Sequence, residues 1–575
     1  MANRMKKPVI VFQDYEYKYK VQKDATLKEI NLQIYEGERV IIAGASGCGK
    51  SSLAHCINGL NPFCYAGTYR GSLKLLGKEA GELGIFERSH YVGTVLQDTD
   101  GQFIGMTVLE DIAFAMENDL VEYRQLEERS RKEAAGVGLL DKLEASPHDL
   151  SGGQKQRVSL AGVLVNKAPI LLFDEPLANL DPATGKEAME LIDSIQKKTN
   201  TTVIIIEHRL EDALYKGADR IILMDEGRII ADTSPQELLC AGLLQKAGIR
   251  ESLFVTALRY SGIFLKKDMG LVKVEELKLG EEEKQKVCCW FHEEEKEQAR
   301  PYTKALLEAK NLSFGYSPER ENLRNISFTI YEGEMTAVVG KNGAGKSTLA
   351  KLLCGFENPE RGEIYFRGEE ISHWGIRKRA AHIGYVMQNP NQMISKSKVF
   401  EEVAFSLQLM GRTEEEIREK VHKVLKVCGL YEFRNWPISA LSYGQKKRVT
   451  IADILVRDPE IIILDEPTAG QDFRHYTEMM EFLVSLNRKG ITVLLITHDM
   501  HLMLEYTNRC LVFSEGRLLK DTAPWHLFAE AELLQEASLK ETSLFSLAKL
   551  CNLPPEKFIE RFILEERRKR EESIP

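Results

Sequence analysis

Short apolar runs flanked by charged residues recur along the whole chain. Examples are VIIA at 40–43, ILLF at 170–173 and TVLLIT at 492–497. Runs of this length predict buried strands of a mainly parallel sheet. Helix-like stretches follow some of them, such as SSLAHCINGL from Ser51 and TLAKLLCGF from Thr348. The alternation of strands and helices predicts an α/β fold.

The pattern occurs twice in the same order. The segment GASGCGKSS at 44–52 returns as GKNGAGKST at 340–348, and later motifs of the first half reappear about 291 residues further on. An offset this constant indicates duplication of a whole module. We therefore predict a first module at 8–240, a helical tail with a charged linker at 241–304, a second module at 305–530, and a helical C-terminal tail at 531–575.

The tails are similar to each other, because GLLQKAGIRESLFVTALRYSG from Gly242 matches ELLQEASLKETSLFSLAKLCN from Glu532. Two roles remain open: the tails pack against each other, or each caps its own module. The segment at 280–301, GEEEKQKVCCWFHEEEKEQARP, has many charges and few apolar residues. This composition predicts a mobile surface linker. The charged end at 565–575 predicts a solvated helix end, with contact to anionic lipid as the alternative.

Composition excludes several classes of protein. The 575 residues are 43% hydrophobic and 28% charged, with a net charge of -9, which is typical of a globular chain and unlike a basic nucleic-acid binder. The apolar runs are far shorter than the roughly 20 residues that span a bilayer. The N-terminus shows no secretory signal, and the ten cysteines have no metal-site spacing. We therefore expect a reducing, cytoplasmic location.

Two segments fit the phosphate-binding pattern G-x-x-x-x-G-K-[ST], each between a strand-like and a helix-like stretch. Glycines let backbone amides surround a phosphate at a helix N-terminus, and the lysine reaches the β- and γ-phosphates while the next serine ligates Mg²⁺. The predicted ATP-binding residues are Gly44, Ala45, Ser46, Gly47, Cys48, Gly49, Lys50, Ser51 and Ser52, and Gly340, Lys341, Asn342, Gly343, Ala344, Gly345, Lys346, Ser347 and Thr348.

Two carboxylates end a predicted buried strand in each module, at Asp174 and Glu175 and at Asp465 and Glu466. The first acid of each pair suits the shell of a Mg²⁺ ion. The second is placed to polarise the attacking water, which makes Glu175 and Glu466 the predicted catalytic bases. Ordinary acids at strand ends are the structural alternative, and the repeated distance to a phosphate loop disfavours it.

These motifs resemble those of the ATP-binding cassette (ABC) family over nearly the whole chain. LSGGQKQR at 150–157 matches the family signature, and LSYGQKKR at 441–448 departs from it only at Tyr443. The resemblance implies two tandem P-loop domains, each with an α-helical signature subdomain, an antiparallel β part and a short helical tail. The nucleotide-contacting signature residues it implies are Ser151, Gly152, Gly153 and Gln154, and Ser442, Tyr443, Gly444 and Gln445.

The resemblance also implies further site residues. Gln97 and Gln388 correspond to the glutamine loops, which contact Mg²⁺ and face the transport partner, so the implied metal ligands are Ser51, Gln97, Asp174, Ser347, Gln388 and Asp465. His208 and His498 correspond to the catalytic switch histidines, and the loops NLD at 179–181 and GQD at 470–472 follow the second carboxylates. Tyr19 and Tyr316 are candidates for stacking on adenine, with strand packing as the alternative.

In this family two such domains pair head to tail, so that the signature of one completes the nucleotide site of the other. One chain then holds both halves of both sites, and both predicted glutamates and both histidines are present. A tyrosine in place of the signature glycine adds a ring near the γ-phosphate. We therefore predict that Tyr443 slows the site that contains Lys50, unless its ring points outward.

The segment LQDTDGQFIGMTVLEDIAFAMEN at 96–118 resembles the ATPases of energy-coupling-factor (ECF) transporters, which import vitamins and metal ions. The resemblance implies an integral membrane coupling protein and a substrate-binding membrane protein as partners, at the cytoplasmic face of the cell membrane. A fused pair resembles the branch linked to thiamine or its hydroxymethylpyrimidine precursor. Alternatives are another ABC importer, for example of sugars, an exporter ATPase, or a tandem ABC protein that acts on ribosomes or DNA.

Overall fold

The structure, a computed structural model, describes residues 7–97, 99–178, 180–293, 303–317, 320–469, 471–528 and 530–573. The chain divides into two compact units, Met1–Lys286 with Asp472–Arg474 and Val287–Gln471 with His475–Pro575. Among the described residues, no helix is both long and apolar enough to cross a membrane.

The first unit alternates strands and helices. Its strands are β1 (Pro8–Tyr19), β2 (Leu27–Tyr35), β3 (Arg39–Gly44), β4 (Gly67–Leu75), β5 (Lys78–Glu79), β6 (Val92–Val95), β7 (Ile170–Asp174), β8 (Thr202–Ile206), β9 (Arg220–Asp225) and β10 (Arg228–Thr233). Its helices are α1 (Lys50–Asn58), α2 (Leu60–Phe63), α3 (Ile85–Ser89), α4 (Val108–Asn118), α5 (Tyr123–Gly136), α6 (Gly152–Leu164), α7 (Pro182–Thr199), α8 (Leu210–Ala213), α9 (Pro235–Ala241), α10 (Leu243–Lys246) and α11 (Leu253–Tyr260), followed by α12 (Glu281–His292).

Two sheets enclose the core of this unit. One sheet is antiparallel in the order β2-β1-β4-β5, and the other has the order β10-β9-β3-β8-β7-β6, parallel except for the edge strand β10. Phe12 of β1, Val40 and Ile42 of β3, and Leu53 and Ile57 of α1 belong to one buried cluster. The sequence motifs therefore lie at the carboxyl ends of buried parallel strands, where α/β proteins bind ligands.

The second unit repeats this architecture. Its sheets have the orders β12-β11-β14-β15 and β16-β17-β18-β13-β19-β20. The strands are β11 (Ala305–Ser317), β12 (Arg320–Tyr331), β13 (Met335–Gly340), β14 (Arg361–Phe366), β15 (Glu369–Glu370), β16 (Ile383–Val386), β17 (Ile461–Asp465), β18 (Thr492–Ile496), β19 (Arg509–Ser514) and β20 (Arg517–Thr522). The helices are α13 (Lys346–Cys354), α14 (Ile376–Arg379), α15 (Val399–Leu409), α16 (Glu414–Val427), α17 (Tyr443–Leu455), α18 (Phe473–Arg488), α19 (Met500–Tyr506), α20 (Pro524–Leu527), α21 (Ala531–Glu536), α22 (Ser543–Leu550) and α23 (Pro555–Ser573). The predicted duplicated α/β fold is confirmed.

The segment predicted as a mobile linker is in part a packed helix, so that prediction was wrong for 281–292. Helix α12 buries Val287 and Trp290. The Trp290 ring lies edge-on to Phe558 of α23, at 5.6 Å between centroids, and the Arg561 guanidinium lies 5.0 Å from its centre. The composition of the segment did not indicate a packed helix, because its apolar residues are few and the residues that contact Trp290 lie far away in the sequence. The remainder, 294–301, lies outside the described residues.

Each tail contacts the module that precedes it. In the first unit the Leu253 amide of α11 donates to Glu211 of α8 at 3.1 Å. In the second unit Arg570 of α23 donates to the Glu505 carbonyl of α19 at 3.2 Å, and Arg567 donates to the Thr507 carbonyl at 3.3 Å. These contacts support a capping role, and packing of one tail against the other stays a prediction. The second tail is not short, because α23 alone has 19 residues.

A fully buried arginine holds the C-terminal end of α13. Arg379 donates to the carbonyl oxygens of Leu352, Leu353, Ile371, Ser372 and Trp374, at distances between 2.6 and 3.3 Å. We expect Arg379→Met to destabilise the second unit by about 2–3 kcal/mol, because buried carbonyls lose their donors. The measurement is denaturant unfolding, monitored by tryptophan fluorescence.

All four tryptophans, Trp290, Trp374, Trp436 and Trp525, lie in the second unit, so this fluorescence reports on that unit alone. Arg377→Met on the same short helix is the control, because Arg377 is exposed. Equal, small effects of the two substitutions would contradict the assignment of Arg379 as a stabilising contact.

Candidate nucleotide site in each module

The phosphate loop of the first module connects β3 to α1. Gly49, which precedes the first residue of α1, has a φ of 106°, a conformation that side chains rarely adopt. Lys50 donates from Nζ to the carbonyls of Gly44 and Ala45 at 2.8 and 2.9 Å. Cys48 is buried within the loop. The loop therefore has the strand–loop–helix form in which backbone amides and a helix N-terminus receive a phosphate.

The second phosphate loop has the same form between β13 and α13. Gly345 has a φ of 100° before α13, and Lys346 donates to the carbonyls of Gly340 and Lys341 at 2.7 and 2.9 Å. A Cβ at Gly340 would lie 2.0 Å from the Phe513 carbonyl oxygen, so this position requires glycine. The two loops thus agree in their lysine contacts as well as in their sequence.

The first acid of each pair faces the serine of its phosphate loop. Ser51 Oγ lies 3.5 Å from Asp174 Oδ1 in the first module. Burial, together with the carboxylate of Glu175, raises the pKa of Asp174 to about 6. A hydroxyl and a carboxylate oxygen side by side are ligands that suit Mg²⁺, so the donor set fits the metal that the fold implies.

In the second module this contact is tighter. Ser347 donates to Asp465 Oδ2 at 2.8 Å, and the Tyr385 hydroxyl donates to the same oxygen at 3.0 Å. Burial raises the pKa of Asp465, and both hydrogen bonds oppose that shift. The first module has Thr94 at the position of Tyr385. Tyr385 is a site neighbour that sequence reasoning missed, and comparing the two copies at this position would have found it.

We expect Tyr385→Phe to raise the Mg²⁺ concentration that gives half-maximal ATPase activity roughly 10-fold at the second site, because metal sites weaken by about this factor when a ligand loses its supporting hydrogen bond. The measurement is a Mg²⁺ titration of ATP hydrolysis in a chain that also carries Glu175→Gln. Tyr365→Phe, which removes an exposed hydroxyl bonded to Glu363, is the control. An unchanged Mg²⁺ requirement would contradict the prediction.

The second acid of the first module lies between a glutamine and a histidine. Glu175 has a φ of 47°, and its Oε2 accepts from Gln97 Nε2 at 2.6 Å. His208 Nδ1 lies 3.7 Å from Glu175 Oε1 and 3.3 Å from Oε1 of the fully buried Glu207. Burial opposes the charged form of His208, but the two carboxylates outweigh it and raise its pKa. The structure therefore brings the predicted Gln97, Glu175 and His208 together.

The second module has a simpler arrangement. His498 Nδ1 lies 2.7 Å from Glu466 Oε1, and the His498 amide donates to the same oxygen at 3.1 Å. Thr497, not a glutamate, precedes this histidine, and its hydroxyl donates to Glu466 Oε2 at 3.4 Å. The two modules thus differ at one buried position next to the histidine, Glu207 against Thr497. Sequence reasoning missed this difference, although the aligned copies contain it.

The signature residues begin the helices α6 and α17. Ser151 and Gln154 form a capping box on α6, and Ser442 and Gln445 form the same box on α17. A serine followed three residues later by glutamine is the sequence signal for this cap. The Tyr443 hydroxyl donates to the carbonyl of Gln388 in its own module at 3.1 Å. The predicted pairing of each signature with the opposite site stays a prediction, as does the slowing by Tyr443.

The two candidate adenine-stacking tyrosines differ in exposure. Tyr19 is half-buried at the end of β1, and its hydroxyl is hydrogen-bonded to Ser52 Oγ at 2.9 Å. Tyr316 is 53% exposed, and its hydroxyl accepts from Lys351 at 3.4 Å. The Lys351 ammonium also lies over the Tyr316 ring, 5.6 Å from its centre, so stacking on adenine stays a prediction for both tyrosines. Asn179 and Gly470 of the loops after the second carboxylates lie outside the described residues, whereas Asp181 caps α7.

Comparison with known proteins places this geometry in a family. A model of ABC transporters matches residues 27–178 and 323–469, and a model described as ATP-binding cassette cobalt transporter matches 241–314. A protein of Enterococcus faecalis, assigned by name to the ABC transporter ATP-binding proteins, is 55% identical over 98% of this chain and 99% of its own. A Clostridium perfringens protein of the same description is 53% identical, over 97% of this chain and 98% of its own length.

Among solved structures, cbiO1 of Clostridium perfringens, described as part of the ABC transporter complex cbiONQ, is 36% identical over 44% of this chain and 98% of its own, with a TM-score of 0.38. The family models and the full-length relatives decide the class. The chain belongs to the ATP-binding proteins of ABC transporters, and it carries two cassettes. It is therefore an ATP-binding subunit of an ABC transporter, and its chemistry is ATP hydrolysis coupled to transport.

Proposed function

We propose that the chain is the energy-coupling ATPase of an ECF-type importer of a small nutrient, either a metal ion or a vitamin. The observation that carries this proposal is the match of residues 241–314 to the family model described as ATP-binding cassette cobalt transporter. That match covers the segment between the cassettes, which general ABC models leave out. Its description favours a divalent metal ion over thiamine or hydroxymethylpyrimidine as cargo.

Two complete sets of site residues support hydrolysis in both modules. Lys50 and Lys346 would hold the β- and γ-phosphates, and the serine that follows each lysine would hold Mg²⁺ together with Asp174 or Asp465. Bound Mg²⁺ neutralises phosphate charge during transfer. Glu175 polarises the attacking water in the first module. Its contacts to Gln97 and His208 support this role, because both groups orient the carboxylate.

The second module uses the same chemistry with fewer contacts around its glutamate. Glu466 polarises water, and His498 holds its carboxylate at 2.7 Å. Gln388 and the phosphate-loop residues complete this set. The family resemblance implies that the signature residues of one module would complete the site of the other.

An apolar surface beside the first glutamine loop supports docking of a membrane coupling protein. Ile104 and Met106 are 64% and 84% exposed, and Leu120 and Tyr123 are 91% and 74% exposed after α4. Ile104 and Met106 follow Gln97 closely and precede α4, whereas Leu120 and Tyr123 lie beyond its other end. Two large apolar side chains exposed this fully beside one loop, Ile104 and Met106, are typical of a surface that a partner covers. The chain would therefore associate with the membrane through its partners.

The test is affinity capture of the tagged chain from detergent-solubilised host membranes, with mass spectrometry of the bound proteins. Recovery of an integral coupling protein and a small substrate-binding membrane protein would support the proposal. Recovery of sugar-permease subunits would support the sugar-importer alternative. Ribosomal or DNA-repair proteins without a membrane partner would overturn the proposal.

A matched pair of variants sharpens this test. Met106→Asp should lower recovery of the coupling protein about 10-fold or more, because a charge would be buried in an apolar contact. It should leave ATP hydrolysis by the isolated chain unchanged. Val21→Asp, at another residue of the same module that is 94% exposed, is the control. Cells that express the complex are then tested for uptake of radioactive cobalt and, separately, of radioactive thiamine. The compound that is taken up identifies the cargo class.

A further inference from the structure

Two side chains of the second signature helix hold the backbone of the second glutamine loop. The Tyr443 hydroxyl donates to the Gln388 carbonyl at 3.1 Å. Lys447, one turn further along α17, donates from Nζ to the carbonyls of Met387 and Gln388 at 2.8 and 2.7 Å. We call Tyr443 and Lys447 the loop clamp. Its acceptors directly follow β16, the strand next to β17, which ends at Asp465.

The lysine of the loop clamp is fully buried. Burial of an ammonium group costs free energy unless its donors are satisfied, so a lysine stays in such a place only with well-placed acceptors. The two carbonyls supply them, and the charge of Lys447 also interacts with the carboxylates of Asp465 and Glu466. A shift of α17 relative to the loop would therefore break several contacts at once.

The first module has neither side chain of the loop clamp. Gly152 stands at the position of Tyr443, and Gln156 stands at the position of Lys447. The Gln156 amide donates instead to the carbonyl of Pro176, next to the catalytic candidate Glu175, at 2.6 Å. The two signature helices are thus tied to different parts of their modules.

We infer that Tyr443 and Lys447 are positioning residues for the second cassette, which fix the glutamine loop to the signature helix so that Gln388 and the helical subdomain move together. The inference rests on the assignment of Gln388 to the second nucleotide site under the proposed function. It gives Tyr443 a role in its own module. The prediction from the sequence differs, because there Tyr443 slows hydrolysis at the site of Lys50 and Glu175 in the other module.

The first test measures amide hydrogen exchange of the full chain without membrane partners. Lys447→Gln, which installs the residue of the first module, should speed exchange of the amides at 387–392 about 10-fold. The matched loop at 96–101 is the internal control, and Lys423→Gln, at an exposed lysine of α16, is the control variant. Lys447→Arg should restore slow exchange, because it keeps donors and charge. Unchanged exchange at 387–392, or faster exchange throughout the second unit, would overturn the inference.

The second test separates the two sites by their glutamates. In a chain with Glu175→Gln, turnover reports on the site of Glu466, and there Lys447→Gln should lower kcat about 10-fold while KM for ATP changes less than about 2-fold. Tyr443→Phe, which removes only the hydroxyl, should lower kcat in the same background by a smaller factor. Lys447→Arg should recover at least half of the lost activity.

The same substitution is then made in a chain with Glu466→Gln, where turnover reports on the site of Glu175. The inference requires that Lys447→Gln lower kcat by a factor at least fivefold larger in the chain that keeps Glu466 than in the chain that keeps Glu175. A larger loss at the site of Glu175 would overturn it and would favour action on the opposite site. Because no membrane protein or cargo is present, failure of the importer proposal leaves both results interpretable.

Discussion

Replacing Glu175 and Glu466 together by glutamine is expected to lower kcat for ATP hydrolysis by about 10³-fold or more. Each glutamate directly follows the last residue of a buried strand beside a phosphate loop, and each lies next to a histidine. Glutamine keeps the size of the side chain but cannot accept a proton from water, and general-base catalysis contributes about 10²–10⁴-fold. ATP binding should persist, because the phosphate-loop lysines are unchanged.

The measurement is steady-state ATP hydrolysis, together with equilibrium binding of a fluorescent ATP analogue. Each single variant reports the turnover of the remaining site. Glu128→Gln, at an exposed position of α5, is the control for the change of an acid to an amide. A double variant that keeps more than about a tenth of the normal kcat would show that another group activates the water.

Trp290→Ala is expected to destabilise the second unit by about 3–5 kcal/mol, the usual cost of truncating a buried tryptophan. Trp290 is 4% exposed and packs against Phe558 and Arg561 of α23. Its removal leaves a cavity between α12 and the C-terminal helix. The measurement is the denaturant midpoint, followed by fluorescence of the remaining tryptophans, which all belong to the second unit.

Trp436→Ala is the control for this substitution, because Trp436 is 47% exposed and its truncation should cost less than about 1 kcal/mol. If 281–292 were a mobile linker, Trp290→Ala and Trp436→Ala would both lower the free energy of unfolding only slightly. The structure requires a clear difference between them.

The sequence predicted the features that depend on neighbouring residues. The phosphate loops, the strand-end acids and the order of strands and helices follow from local patterns, such as glycine spacing before Lys50 and an apolar run before Asp174. Family resemblance assigned Gln97, Glu175 and His208 to one nucleotide site, and the parallel sheet explains why they lie together, because its strand ends lie at one edge. Their contacts with one another were not predicted.

Contacts between distant residues were beyond the reach of these patterns. Lys447 and Gln388 are separated by 59 residues, and only the folded second module shows that a signature-helix lysine points to the loop. Helix α12 was missed for the same reason, because its composition matches a linker while its buried Trp290 packs against α23. The exchange of Glu207 for Thr497 was visible in the sequence, but its meaning required the distances to His208 and Glu466.

Packing of Trp290 against the end of the chain also sets an order of events during synthesis. Arg561 contacts Trp290 from 271 residues further along the sequence. At about 5–20 residues per second, a ribosome needs roughly 15–50 s to make the intervening chain. During this time Trp290 of α12 has been synthesised, but Phe558 and Arg561, which pack against it, have not. The second cassette therefore completes its fold only after Arg561 has been synthesised, while the first cassette has all of its own residues much earlier.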